Sequence, residues 1–370
     1  MATVAEDLAG LACASKGFRV LDASVAGDLD RWRQLWQAWP ERDVMAHPDY
    51  ARLFARPCDR VVAALSEEEQ GAVLFPLILR PLSAEPWAGA GESRWDAVSP
   101  YGYGGPFAWG SRARNDERFW EGYRHWCQRE RVVATFSRLS LFPELLASIP
   151  EGSEERGRNV VARLEGGFEA VARAFDSRVR RWVGVAEGAG LIVECDQQGE
   201  RLDEFLAVYA HTMKRKQASA WYLFPRAFFE AIVDRLAGSF AFFHTVQAGR
   251  VLASELVLYS PARAYFFLGG TYEDAYPLGP NYLLKDRALR WAVRQGLQAF
   301  VLGGGHQPND GLLLYKRAFT GRKGLVPFRV ACLTHDATSC EELEAARARN
   351  VAQQGGSWGP EPGFFPRYRA

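Results

Sequence analysis

Two periodicities of apolar and polar residues alternate along this chain, and they return in the same order. Residues 29–39 (LDRWRQLWQAW) place Leu29, Trp32, Leu35, Trp36 and Trp39 at helical spacing. That spacing predicts an amphipathic helix whose aromatic stripe faces a core. Residues 61–65 and 71–79 are rich in β-formers and are joined by the polar SEEEQ segment, which predicts a hairpin. Pro76 lacks a ladder donor, so it marks the second strand as an edge strand or a bulge. Residues 97–107 (AVSPYGYGGPF) read as a loop rich in glycine and aromatics. Phe119, Trp120, Tyr123, Trp126 and Cys127 form a second helical stripe, and 132–136 is a short apolar strand. Residues 142–159 are polar, with prolines and glycines, and lead out of a first domain.

The second half repeats this order. Residues 168–188 contain a helix carrying Arg178, Arg180 and Arg181. Residues 202–216 form another, with Leu202, Phe205, Leu206, Tyr209 and Met213 on one face, and a third runs over 225–236. Residues 240–246 and 251–259 predict a hairpin, and 264–268 the next strand. Residues 281–295 read as a helix closed by Gly296, a glycine where a C′ residue belongs. Residues 299–302 and 326–333 are short strands. The segments EEEQGAVLFPLILRPL and VQAGRVLASELVLYSP align loosely. Duplication accounts for this order: a first domain over 1–164 and a second over 165–340, its last strand (326–333) free to pack on the first. A charged and then aromatic tail occupies 341–370.

The bulk numbers fit that division. A chain of 370 residues at 48% hydrophobic is long for one core and suits two. Lys+Arg 45 against Asp+Glu 44 gives a net charge of +1. That balance excludes a protein that wraps a nucleic-acid duplex, and confines any RNA contact to a small patch. No apolar run reaches the roughly 20 residues of a membrane-spanning helix. The N-terminal segment lacks a basic start and a sustained apolar core, so a cytoplasmic protein is expected. Six cysteines (13, 58, 127, 195, 332, 340) lie scattered, as reduced buried thiols would. Neither they nor the six histidines show metal-ligand spacing, so no metal and no bound cofactor is expected.

The candidate chemistry clusters late in the chain. Lys316 lies in the apolar stretch 311–319 (GLLLYKRAF). It is either a lysine whose stem is covered and whose head reaches water, or a cation lining a cleft for phosphate or developing negative charge. Lys214, Arg215 and Lys216 end a helix, where cations suit the dipole. Gly303, Gly304 and Gly305 before His306 are a backbone cradle for an anion or a flexible strand exit, with His306 a candidate base and Asp310 an outside one. Tyr101 and Tyr103 sit either on a substrate-facing loop or on an ordinary aromatic turn. No nucleophile elbow, P-loop or dinucleotide fingerprint occurs. That fits direct attack by a substrate amine on an ester or thioester, with the protein supplying position, deprotonation and oxyanion stabilisation.

Residues 269–319, together with 209–224 (YAHTMKRKQASAWYLF), resemble the FemXAB branch of the GNAT-like acyltransferases. The resemblance covers roughly 40–335. It implies an α/β chain of two tandem GNAT-like domains with mixed, mostly antiparallel sheets, each splayed to accept an acyl donor. It also implies transfer of an aminoacyl group from the acceptor end of aminoacyl-tRNA to an amine-bearing peptide or metabolite. Tyr315–Lys316 stands where the family has an aromatic–Lys pair that acts on the donor's 3′ end or the transition state. Thr212, Lys214, Arg215 and Tyr222 stand where it binds substrate, Arg215 meeting an anionic group through its fork. In CoA-dependent relatives a glycine-rich loop before the helix grips pyrophosphate. Here that stretch is YPLGPN, ending at Asn281, with two prolines and one glycine. This departure favours tRNA over acyl-CoA as the donor. An acyl-CoA-dependent enzyme and a non-catalytic binding protein of the same fold are the alternatives.

Overall fold

The structure is a computed structural model that describes residues 17–68, 71–89, 91–110, 115–150, 152–305, 307 and 310–370. The chain begins with β1 (Phe18–Asp22), α1 (Ala26–Ala38), α2 (Pro48–Arg52), β2 (Arg60–Glu68), β3 (Gly71–Pro81), β4 (Trp95–Val98), β5 (Phe107–Gly110), α3 (Asn115–Glu130) and β6 (Val132–Arg138). It continues through β7 (Glu154–Arg163), α4 (Gly167–Arg173), α5 (Ser177–Gly188), β8 (Ile192–Asp196), α6 (Leu202–Arg215), α7 (Arg226–Arg235), β9 (Phe240–Gln247) and β10 (Arg250–Tyr259). It closes with β11 (Arg263–Thr271), α8 (Pro280–Arg294), β12 (Ala299–Gly304), α9 (Gly311–Arg317), β13 (Leu325–Thr334) and α10 (Ala337–Gln353). Two compact units result. One takes the described residues up to Trp32, then Phe54–Glu154 and Val330–Ala370; the other takes Arg33–Leu53 and Glu155–Arg329.

In the first unit the strands run β1-β2-β3-β4-β6-β13, antiparallel except for the β4–β6 pair. The stripe anticipated on α3 is core: Phe119, Trp120, Tyr123, Trp126 and Cys127 are buried against the sheet. Pro76 corrects an expectation, because β3 is interior and not an edge. It pairs with β2 from Gly71 to Leu79, while its other side holds β5 over Gly71–Leu74 and β4 over Ile78–Pro81. Pro76 falls in the interval between those two partners, where a missing donor breaks no ladder on that side. The tail is docked, not loose. Tyr368 is buried, and Arg369 meets Asp96 at 2.5 Å and also pairs with Glu85.

In the second unit the order is β7-β12-β11-β10-β9-β8, antiparallel except for β11–β12. The succession β8-α6-α7-β9-β10-β11-α8-β12 repeats β1-α1-α2-β2-β3-β4-α3-β6, with β5 an extra strand in the first series. The last strand of each sheet is taken crosswise: β7 follows β6 in the chain but pairs with β12, and the end of β13 pairs with β6.

Local chemistry sets the element ends around the site. Gly279, in the left-handed region at φ 68°, precedes α8 and puts Pro280 at the first helical position. Gly296 (φ 74°) ends that helix, with the Leu297 amide returning to the Ala292 carbonyl. Asp310 caps α9 by accepting the Leu313 amide at 2.8 Å. The apolar stretch 311–319 is therefore largely a short helix, with Lys316 on its buried side.

Candidate active site

The parallel β11–β12 pair is bonded only over Arg263–Tyr265 and Ala299–Val301. Beyond that register the two strands run on, to Thr271 and Gly304, without pairing each other. A bulge in β11 contributes: Leu256 of β10 faces Leu268 while Val257 faces Phe266, so Phe267 is the extra residue.

Lys316 lies at this opening. It is 7% exposed, and its Nζ donates to the Gly304 carbonyl at 2.7 Å. The same nitrogen is 5.3 Å from the centre of the Phe266 ring. Lys285 of α8 reaches the same ring at 4.2 Å and donates to Glu255 Oε2 of β10 at 2.6 Å, both residues being buried. Gly269, opposite Glu255 in the ladder, makes this possible: a Cβ there would stand 3.0 Å from Glu255 Cγ and 2.8 Å from the Ser254 carbonyl. Burial first, and then repulsion from Lys285, hold the Lys316 amine down at about 7, with Glu255 and Asp310 pulling the other way. Lys285 is lowered by burial as well, against the pull of Glu255.

The expected residues divide into three groups. Lys316, Tyr315, Asn281 and Thr212 are tied into one framework. The Tyr315 hydroxyl donates to the Asn281 carbonyl at 3.0 Å, and burial holds that phenol well above its ordinary range. The Asn281 side-chain oxygen accepts the Thr271 hydroxyl. The Thr271 amide donates to the Thr212 hydroxyl at 2.9 Å. The second group rims the end of α6. Arg215 is half-buried, its guanidinium 5.3 Å from the centre of the Tyr276 ring. Its Nε is buried without a hydrogen-bond partner among the described residues. Lys214 is exposed, and Tyr222 offers its carbonyl to the Tyr209 hydroxyl. The third group lies in the first unit. There Tyr101 packs 5.8 Å from the Phe54 ring, and burial pushes the half-exposed Tyr103 phenol upward. His306 lies outside the described residues. Asp310 is committed as the cap of α9.

Glu255 and Lys285 were not anticipated. The signal for Glu255 is one carboxylate in the apolar run VLASELVLY. For Lys285 it is a lysine on a helix face shared with Leu284, Ala288 and Leu289. The five described cysteines are free, but only Cys127 is buried, and Cys58 and Cys195 are exposed. That corrects the expectation of uniformly buried thiols.

The turn that opens α8 bears on the donor. Pro280 has no amide, and the Tyr282 and Leu283 amides both return to the Gly279 carbonyl, at 3.1 and 3.5 Å. Gly279 is pressed against Trp182, whose Cε3 would be 2.9 Å from a Cβ. The Gly279 amide donates to the Tyr276 carbonyl at 3.1 Å, so among the described residues the Asn281 amide is the one helix-start donor without a partner.

Residues 172–317 match the family described as "Acetyltransferase (GNAT) domain". No curated protein matches the chain. Among solved structures, the crystal structure of FemX superimposes with a TM-score of 0.58 at 12% identity, over 83% of this chain and 94% of that one. The C-terminal domain of a putative lysylphosphatidylglycerol synthetase from Agrobacterium fabrum gives 0.53 at 15% identity, over 89% and 96%. L-PGS from Bacillus licheniformis gives 0.53 at 14%, over 87% and 96%. The chain thus carries a GNAT acyltransferase domain and shares its fold with FemX and these synthetases. No helix among the described residues is long and apolar enough to cross a membrane.

Proposed function

We propose that this chain is an N-acyltransferase that moves an aminoacyl group from aminoacyl-tRNA to the amine of a peptide or peptide-like acceptor. The observation that carries the choice of donor is the start of α8, which is poor in free amides. A CoA pyrophosphate needs free amides at a helix N-terminus. Here Pro280 has none, and the Gly279 and Tyr282 amides are already bonded to the Tyr276 and Gly279 carbonyls. The fold shared with a lysylphosphatidylglycerol synthetase supports aminoacyl chemistry, since that name describes a lysyl group joined to an acceptor. Aminoacyl-tRNA is a cytoplasmic reactant, so the reaction would take place there.

In this reading the acceptor nitrogen attacks the ester carbonyl of the 3′ aminoacyl group. A C–N bond forms and the C–O bond to the ribose breaks. The proton lost by nitrogen passes to the Lys316 amine and then to the departing oxygen, which leaves as a hydroxyl. An amine titrating near neutrality suits both transfers. Arg215, with a spare donor and a guanidinium resting on Tyr276, binds an anionic group of the acceptor. Tyr315, Asn281 and Thr212 hold the wall of the opening, and Lys214 and Tyr222 rim it. The first-unit tyrosines Tyr101 and Tyr103 remain proposed substrate contacts, and His306 a proposed base.

The matched family description, an acetyltransferase, favours acyl-CoA as a second reading of the donor. A screen of radiolabelled charged tRNAs and acyl-CoAs against mixed amines separates the two. Transfer from a charged tRNA is expected. Transfer from CoA and from no charged tRNA would replace the first reading with the second, and transfer from neither would leave a binding protein.

A further inference from the structure

The buried charges around Phe266 do not balance. Two lysines reach one aromatic ring, at 4.2 and 5.3 Å, and the buried carboxylate of Glu255 is bonded to Lys285. The choice of residue is telling in this chain, which has 39 arginines and only six lysines. Arginine keeps its charge at any ordinary pH, whereas lysine can give up its proton when buried. The two lysines drawn to this ring are thus the residue type that can be neutralised, in a protein whose cations are mostly arginine.

We propose that the Lys285–Glu255 pair is a positioning element of the reaction centre: by committing Glu255 to Lys285, it leaves the Lys316 amine, held on the Gly304 carbonyl, without an ion-pair partner among the described residues and able to meet the reacting groups. This rests on the acyl-transfer reading of the same site. The pair sits on two rigid elements, α8 and β10, and Gly269 clears the space that lets Glu255 reach inward. Three charged groups act on Lys316 from three elements: Glu255 of β10, Lys285 of α8 and Asp310 at the head of α9. Tyr315 stands near Glu255, its phenol raised by burial first and then by that carboxylate. With Lys285 present, its charge opposes a proton on Lys316. With Lys285 gone, Glu255 is released, and Lys316 becomes its only lysine partner at this ring.

The test uses the full chain with 13C at lysine Cε, which yields six resonances, assigned by single Lys→Arg replacements. In the wild type the Lys316 resonance should titrate near neutrality. In Lys285→Met it should titrate higher by about one unit or more, as expected when a like charge goes and an opposite charge becomes available. Lys285→Arg, which keeps the charge and the carboxylate's partner, should leave the midpoint low. A Lys285→Met protein that melts lower but leaves the Lys316 midpoint unmoved would reduce the pair to a structural ion pair and overturn the proposal. Should that variant fail to fold, the wild-type titration still decides: a Lys316 resonance that stays charged to pH 10 overturns it. These readouts need no substrate, so a failed donor screen and a failed titration are separate results. With whichever donor supports transfer, the acidic limb of the rate profile should move with the Lys316 midpoint.

Discussion

The Thr212 hydroxyl stands 2.5 Å from the point where a side chain on Gly270 would begin, with the Val208 carbonyl 2.7 Å from the same point. Helix α6 therefore lies directly on β11, and Gly270 is what allows it. The Thr212 hydroxyl also accepts the buried Thr271 amide. Gly270→Ala should push α6 off the strand and lower stability by about 1–3 kcal/mol, the usual range for overpacking. Thr212→Val should cost a similar amount, on the order of 1–3 kcal/mol, by leaving that amide unpaired. Urea denaturation checks both. A Gly270→Ala protein as stable as wild type would mean that α6 is not fixed in this position.

Much of the fold was legible because burial on one face writes a period into the sequence. The aromatic stripe of α3 and the hairpins β2/β3 and β9/β10 follow from spacing alone, and Gly296 ends α8 where the glycine signal placed it. Strand β7 was not legible. Its first half is exposed and polar, and only residues 159–163 pair with β12. The pairing partner of a crosswise strand lies far away in sequence, so no local pattern records it. The same holds at the site. Lys316 stood out as a charge in an apolar stretch. Glu255 and Lys285 are 30 residues apart on different elements, and only the fold brings their charges to 2.6 Å. Thr212 and Asn281, expected to bind substrate, each make a hydrogen bond to Thr271, a partner that no local pattern in the sequence records.

Lys316 should also make stability depend on pH with a defined sign. Its amine titrates near 7 in the folded protein against an ordinary 10.5. Between those values the unfolded chain holds the proton and the folded chain does not. Stability contributed by this group therefore rises as pH increases from 7 towards 10.5, and below 7 the buried charge is a constant cost. Relative to Lys316→Met, the wild type should gain about 1.4 kcal/mol per pH unit within that window. Glu255, Lys285 and Asp310 remain in both proteins, so the difference reports Lys316 together with its coupling to them. Denaturation midpoints of the pair at pH 7, 8.5 and 10 give the answer, and a flat difference would mean an ordinary, solvated lysine. Turnover of the variant should fall by about a hundredfold, in the range of a lost acid–base group.

Arg215 tests how the acceptor is held. Its guanidinium lies against Tyr276, which is 40% exposed, and its Nε has no partner among the described residues. A fork that stacks and still has a free donor fits an anionic group, and lysine cannot reproduce that geometry. Arg215→Lys should raise KM for an anionic acceptor about tenfold, roughly the value of one charge-assisted bond, with kcat little changed. Tyr276→Leu should show a weaker effect in the same direction. A fall in kcat at constant KM would instead move Arg215 to the reacting centre.

The donor leaves a signature in salt dependence. The net charge of +1 gives no overall basic excess, so neutralisation of only a few phosphates is expected. The candidate contacts lie at Arg178, Arg180 and Arg181 on α5, at Lys214, Arg215 and Lys216 where α6 ends, and at Arg317, Arg322 and Lys323 after Lys316. Arg180 is partly spent on the Phe175 carbonyl and Arg181 rests on Trp182. Arg322 and Lys323 are exposed turn residues. Two or three phosphates of a single-stranded acceptor end then give a slope of log K against log salt on the order of −2, at about −0.7 per phosphate. Filter binding of a charged tRNA from 50 to 300 mM salt, roughly the span over which such slopes are resolved, measures it. Coenzyme A at millimolar concentration should leave the melting temperature unchanged, because Pro280 has no amide and the Gly279 and Tyr282 amides are already bonded. A slope several times steeper would require an RNA-binding surface that the charge distribution does not provide. Stabilisation by coenzyme A would show that the turn before α8 opens to take pyrophosphate, and would move the donor from tRNA to an acyl thioester.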